Sequence, residues 1–135
     1  MSNLKLPAMN YGNLNRLVGD RYKKRVAHNT HATAYDTHVS VYYHDNFIGE
    51  VWNGGVYLNT AGWHTQTTTA RLNRMLVDNL PGTSYRVGIR NGEVCLVSVN
   101  DKTRIPFRDV IVYDDGTIVQ EQAWKISTER MQKQS

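Results

Sequence analysis

Residues 58–76 combine an aromatic ring, a series of hydroxyls and two cations in one short segment. The stretch reads LNTAGWHTQTTTARLNRML, with Trp63 after an Ala-Gly step, four threonines within residues 65–69, and Arg71 and Arg74 beyond them. Hydroxyls and guanidinium groups bind phosphate oxygens, and an indole ring stacks on a nucleobase. These residue types together predict a site for a phosphate-bearing ligand with an aromatic base.

The threonines precede a segment with helical spacing, and Pro81-Gly82 ends the pattern. We therefore predict the principal helix over residues 69–79. Its apolar stripe consists of Ala70, Leu72, Met75, Leu76 and Leu80. The first N–H groups of a helix are unpaired and partly positive, so Thr67 or Thr68 fits the N-cap. The remaining hydroxyls and N–H groups form a cradle that suits a phosphate.

The predicted ligand-binding residues lie around this helix start or carry an aromatic face close to it in sequence. They are Trp63, Thr65, Thr67, Thr68, Arg71, Arg74 and Tyr57. In this interpretation Arg71 pairs with a phosphate, and Trp63 stacks on a base or forms a wall of the pocket. In the alternative interpretation Trp63 packs in the core and the threonines only cap the helix.

Other chemistry has no recognisable pattern in the chain. The five histidines form neither HExxH nor a zinc pattern with the single Cys95. There is no GxxxxGK[ST] loop, GxGxxG turn or GxSxG elbow. We therefore predict no catalytic residues, no enzymatic activity, no metal and no cofactor.

Composition indicates a small globular protein of 135 residues with a net charge of +4. No window resembles a membrane span or a secretion signal, so we expect the protein in the cytoplasm. The positive charge is compatible with an anionic partner. An alternative function is therefore nucleic-acid binding, through a basic run with exposed tyrosines such as Tyr22 and Tyr42. The run consists of Arg21, Lys23, Lys24 and Arg25.

Period-two runs and turn residues predict an α+β fold with antiparallel hairpins. Asn53-Gly54-Gly55 and Asn91-Gly92 are strong hairpin signals, and Asp114-Asp115-Gly116 is a further turn. We expect an irregular N-terminal arm over residues 1–20, with one helical turn at Leu14 to Val18. A single domain over residues 21–126 and a frayed tail over residues 127–135 complete the expected organisation.

The central third of the chain resembles a widespread group of short phage-encoded proteins with the pattern LNTxGWxTxTTxxRxN. The residues that carry the resemblance are Asn29-Thr30, Leu58-Asn59-Thr60, Gly62-Trp63, Thr65, Thr67-Thr68, Arg71 and Asn73. In size and expected chemistry the chain is also similar to phage anti-CBASS sponges, which sequester cyclic dinucleotides without cleaving them. The resemblance implies phage origin and, through the sponges, sequestration of a nucleotide second messenger of host defence. We expect a homo-oligomer, because so small a protein encloses a dinucleotide best between subunits.

Overall fold

The computed structural model describes residues 5–120 and 123–126. Within them the chain forms two helices, ten strands and a helical turn at residues 123–126. In chain order the elements are α1 (Tyr11–Val18), β1 (Lys23–Ala27), β2 (Thr30–Ala34), β3 (His38–Tyr43), β4 (Asn46–Trp52), β5 (Gly55–Asn59), α2 (Gln66–Asn79), β6 (Tyr85–Arg90), β7 (Glu93–Ser98), β8 (Arg104–Pro106), β9 (Asp109–Tyr113) and β10 (Ile118–Val119).

The strands form two antiparallel sheets. The larger has the order β1-β2-β3-β4-β5-β9-β10, and the smaller has the order β6-β7-β8. The chain therefore leaves the larger sheet after β5, builds α2 and the smaller sheet, and returns as β9 beside β5. Antiparallel sheets with few helices confirm the predicted α+β class.

The predicted hairpins are confirmed, since their turn residues adopt backbone conformations that most residues avoid. Asn53-Gly54 joins β4 to β5, and Gly54 has φ of 124°. Asn91 and Gly92 join β6 to β7 with φ of 53° and 76°. Asparagine and glycine tolerate positive φ better than other residues, which is why these turns could be located from sequence.

The principal helix begins three residues earlier than the predicted residue 69. α2 spans Gln66–Asn79, because Thr65 is its N-cap, not Thr67 or Thr68. It ends as expected before Pro81, and it packs on β4, β5 and β6. Asn73 further fixes the helix to the smaller sheet, since its side-chain oxygen accepts a hydrogen bond from Val87 N at 2.8 Å.

The N-terminal segment is more ordered than the predicted irregular arm. Residues 11–18 form α1, whose N-cap Asn10 accepts a hydrogen bond from Asn13 N. Leu14 and Val18, four residues apart, are fully buried against the core. This apolar pair explains why a whole helix forms where a single turn was expected. Residues 1–4 of the arm and the expected frayed tail over residues 127–135 lie outside the described residues.

One face of the larger sheet is covered by the two helices, and the other face is covered only in part. α1 and α2 lie on one face, over the main cluster of core residues, which includes Val39, Val41 and Leu72. On the other face Ala123, in the C-terminal helical turn, packs with Tyr57 and Ile111. β3 is buried from His38 to Val41, so both of its faces are covered over these residues.

Candidate functional site

Three of the four clustered threonines are used to build the start of α2. Thr65 Oγ1 accepts a hydrogen bond from Thr68 N at 3.2 Å and donates one to Thr68 Oγ1 at 3.1 Å. Thr69 Oγ1 donates to the carbonyl of Thr65 at 2.6 Å. Thr67 is exposed, with its Oγ1 3.3 Å from Thr65 Oγ1. A threonine caps the helix, but it is Thr65 and not Thr67 or Thr68, and Thr67 keeps a hydroxyl at the surface.

The first turn of α2 remains a partly positive end of the helix. It contains no acidic residue to compensate the helix dipole. The cap satisfies the N–H of Thr68, whereas those of Gln66 and Thr67 precede the first helical hydrogen bond. Within the described chain these two N–H groups are therefore positioned to bind an anion.

Trp63 is held beside this helix end by a short, hydrogen-bonded turn. The side-chain oxygens of Asn59 and Thr60 accept bonds from Ala61 N and Gly62 N, and Trp63 N donates to the Thr60 carbonyl. Trp63 itself is 55% exposed. The alternative that Trp63 is a core residue is therefore wrong.

A cavity of about 490 Å³ lies at this end of α2. We call it the α2 cavity, and it is lined by Tyr43, His44, Asn46, Trp63, Thr65, Thr67 and Thr68. The structure thus brings together four of the seven residues predicted from sequence. The rings of Tyr43 and His44 are 4.3 Å apart and contribute an aromatic wall in addition to Trp63. The lining suits a flat, aromatic ligand group.

Arg71 is placed inside the structure instead of at the surface. It is 2% exposed. Its Nε donates to Thr30 Oγ1 at 2.9 Å, its Nη1 donates to the Thr67 carbonyl at 2.9 Å, and its Nη2 donates to the His28 carbonyl at 3.2 Å. Its Cζ lies 3.9 Å from the ring centroid of Tyr43, which lines the cavity. Burial lowers the pKa of the guanidinium. Arg71 therefore joins α2 to the β1–β2 turn, and its positive charge lies one aromatic ring away from the cavity.

Arg74 and Tyr57 do not line the α2 cavity. Arg74 forms an ion pair with Asp78 at 2.8 Å and donates to the Pro7 carbonyl at 3.0 Å, so it fixes the N-terminal segment to α2. Tyr57 is 1% exposed and packs on the opposite face of the larger sheet. Its hydroxyl donates to Asp109 Oδ2 at 2.8 Å, and burial, followed by this contact, raises its pKa.

Sequence reasoning missed the contribution of the β3–β4 turn. Tyr43, His44 and Asn46 line the cavity because the turn lies next to the β1–β2 turn, where His44 N donates to the Asn29 carbonyl at 2.8 Å. His44 and Asp45 both have positive φ, of 50° and 64°. The run Tyr42-Tyr43-His44 was the only signal, and it does not reveal that the turn lies close to α2.

A larger cavity, of about 590 Å³, lies at the opposite end of α2. Its walls include Trp52, Tyr113, Asp114 and Asp115, and no lysine, arginine or histidine of the described part of the chain lines it. Because two carboxylates and the negative end of the helix dipole repel an anion, this cavity does not suit a phosphate.

Comparison with known proteins identifies a family over most of the chain. Residues 11–124 match the family described as Kyanoviridae Gp96 protein. Neither the curated proteins nor the solved structures gave a match. In the described part of the chain no helix is both long and apolar enough to cross a membrane. The matched residues cover both sheets and both helices, so the chain belongs to the Kyanoviridae Gp96 protein family, a phage-encoded family.

Proposed function

We propose that this phage protein binds a nucleotide second messenger of host defence in the α2 cavity and sequesters it without cleaving it. The observation that carries the proposal is the exposed Trp63, which lies beside a helix N-terminus at a cavity of about 490 Å³. Ligand cavities in proteins typically measure about 300–1,000 Å³. A base stacks on Trp63, and the rings of Tyr43 and His44 contribute to the same cavity wall lining.

The phosphate is bound at the start of α2. The N–H groups of Gln66 and Thr67 and the hydroxyl of Thr67 supply donors, and the helix dipole supplies partial positive charge. Arg71 does not contact the phosphate, because its guanidinium is buried against Tyr43. Its positive charge attracts the phosphate from a distance. This division of roles replaces the direct pairing between Arg71 and phosphate that the sequence suggested.

Sequestration instead of cleavage is favoured by the groups that line the cavity. Among the described residues they comprise one histidine, an amide, hydroxyls and aromatic rings, without a carboxylate. General acid–base catalysis of phosphodiester cleavage needs a positioned pair of proton-transfer groups. A cyclic dinucleotide also exceeds what one open cavity encloses, so two subunits that face each other across the ligand complete the site.

The proposal is tested by recovery of the bound ligand. The protein is mixed with a cyclic dinucleotide, separated from free ligand by gel filtration and denatured by heat, and the released small molecules are identified by mass spectrometry. We expect the intact dinucleotide. A protein fraction without nucleotide, or a linear or hydrolysed product, would contradict the proposal.

A further inference from the structure

A row of basic and aromatic side chains crosses the larger sheet on the face opposite α2. Arg25 on β1 is directly opposite His31 on β2, His31 is opposite Tyr42 on β3, and Tyr42 is opposite Phe47 on β4. Directly paired residues project to the same face of a sheet. With strands about 4.8 Å apart, the row is roughly 14 Å long.

Two further tyrosines extend this row. Tyr22, immediately before β1, is 72% exposed, the highest exposure among the large hydrophobic residues of the described chain. Tyr35 makes a side-chain hydrogen bond with Tyr22, and burial together with this bond raises the pKa of Tyr35 to about 12. The rings of Tyr42 and Phe47 lie 5.6 Å apart. The aromatic groups therefore form a contiguous cluster that is accessible at Tyr22.

Positive charge borders the cluster. β1 is the outermost strand of the larger sheet, and Lys23 and Arg25 are exposed on it. Residues 21–31 include four cations and no carboxylate. Lys23 is paired with Thr33, in the same register as Arg25 with His31, so both cations lie on the aromatic face. We call the group Tyr22, Lys23, Arg25, His31, Tyr42 and Phe47 the β1 surface.

We propose that the β1 surface binds single-stranded nucleic acid. Proteins bind single strands by stacking bases on aromatic side chains while cations follow the phosphates. Such a sheet accommodates about two or three stacked bases. A duplex keeps its bases stacked inside the helix and offers only phosphates, so the aromatic part of the surface discriminates against it.

The β1 surface and the α2 cavity are separate. Tyr42 belongs to the first and Tyr43 to the second, and adjacent residues of a strand project to opposite faces. Substitutions can therefore disable one site and leave the other intact. Single-strand binding does not depend on the nucleotide-binding proposal.

The test is fluorescence anisotropy with labelled oligo-dT and oligo-rU of about 12 nucleotides, within the usual range of site sizes. An oligonucleotide duplex of the same length serves for comparison. Lys23 and Arg25 together are expected to contribute roughly −1.4 to the slope of log K against log salt concentration for single strands. We expect Lys23→Ala/Arg25→Ala to weaken binding at least about tenfold and to flatten this slope by roughly 1.4. Tyr22→Ala, at an exposed position, should weaken it by about fivefold or more.

The matched control is Arg90→Ala/Arg108→Ala, which removes the same charge at two exposed positions outside the β1 surface. This control and Trp63→Ala should bind single strands as the parent does. Thermal melts confirm that each variant is folded. The proposal is overturned if the parent binds no single strand, if it binds the duplex equally tightly, or if the control loses as much affinity as the β1 variant. Whether dT or rU binds more tightly identifies DNA or RNA as the preferred strand.

Discussion

At the residue scale, Arg71 connects distant parts of the chain through a single side chain. Its guanidinium bonds α2 to Thr30 and to the His28 carbonyl, residues more than forty positions earlier. Removing it takes one donor from each of three acceptors, of which the His28 carbonyl keeps the Thr30 hydroxyl, and leaves a gap against Tyr43. Because hydrogen bonds to charged groups contribute about 1.5–3 kcal/mol each and are not additive, we expect Arg71→Ala to lower the free energy of unfolding by about 2–4 kcal/mol. Urea denaturation measures this change.

Arg74→Ala is the matched control for this prediction. Its ion pair with Asp78 and its hydrogen bond to the Pro7 carbonyl are partly exposed, with 35% of the arginine side chain accessible, so we expect a smaller loss of about 1 kcal/mol. We also expect Arg71→Lys to recover little of the loss, because an ammonium group cannot reproduce the planar set of donors. If Arg71→Ala unfolds at the same urea concentration as the parent, the structural role assigned to Arg71 is wrong.

At the element scale, the start of α2 depends on one hydroxyl. Thr65→Ala removes the acceptor of the Thr68 N–H, so we expect a loss of about 1 kcal/mol in the free energy of unfolding. Thr67→Ala, two residues later and exposed, should change stability by less than about 0.5 kcal/mol. Thermal melts of the two variants distinguish them. Equal losses would mean that the threonines share the cap instead of dividing into cap and ligand donor.

The sequence predicts those elements whose signals are local. The turns at Asn53-Gly54 and Asn91-Gly92 and the C-terminal end of α2 were located from residues that directly determine backbone conformation. β2 has no such local signal, because the run Thr30–Ala34 contains no large apolar residue and owes its conformation to pairing with β1 and β3. The separation into two sheets was not predicted either, because it depends on tertiary pairing: β8 pairs with β7 in the smaller sheet, whereas β9 pairs with β5 in the larger one.

The candidate site was predictable only where it is continuous in sequence. Trp63, Thr65, Thr67 and Thr68 lie together in the α2 cavity because they belong to one turn and one helix start. Arg71 was misplaced, since neighbouring positions on a helix do not reveal which one faces a distant turn. Tyr43 and His44 come from another part of the chain and become part of the site only through tertiary packing.

At the scale of the whole molecule, we predict association of subunits. Trp63 and Tyr22 are 55% and 72% exposed, and exposed aromatic residues are enriched at protein interfaces. The open α2 cavity encloses a dinucleotide best if a second subunit closes it. Multi-angle light scattering at micromolar concentration should give at least twice the chain mass of 15.4 kDa. A mass of one chain, with and without ligand, would contradict this expectation.

The central claim, that Trp63 forms a nucleotide site at the start of α2, is tested most directly by calorimetric titration of a cyclic dinucleotide. The parent, Trp63→Ala and Trp124→Ala are compared, because Trp124 is 59% exposed and lies outside the α2 cavity. We predict that Trp63→Ala weakens binding by about 1–3 kcal/mol while its melting behaviour stays that of the parent, and that Trp124→Ala binds normally. Equal affinity of the parent and Trp63→Ala, or no heat of binding with the parent, would contradict the nucleotide site.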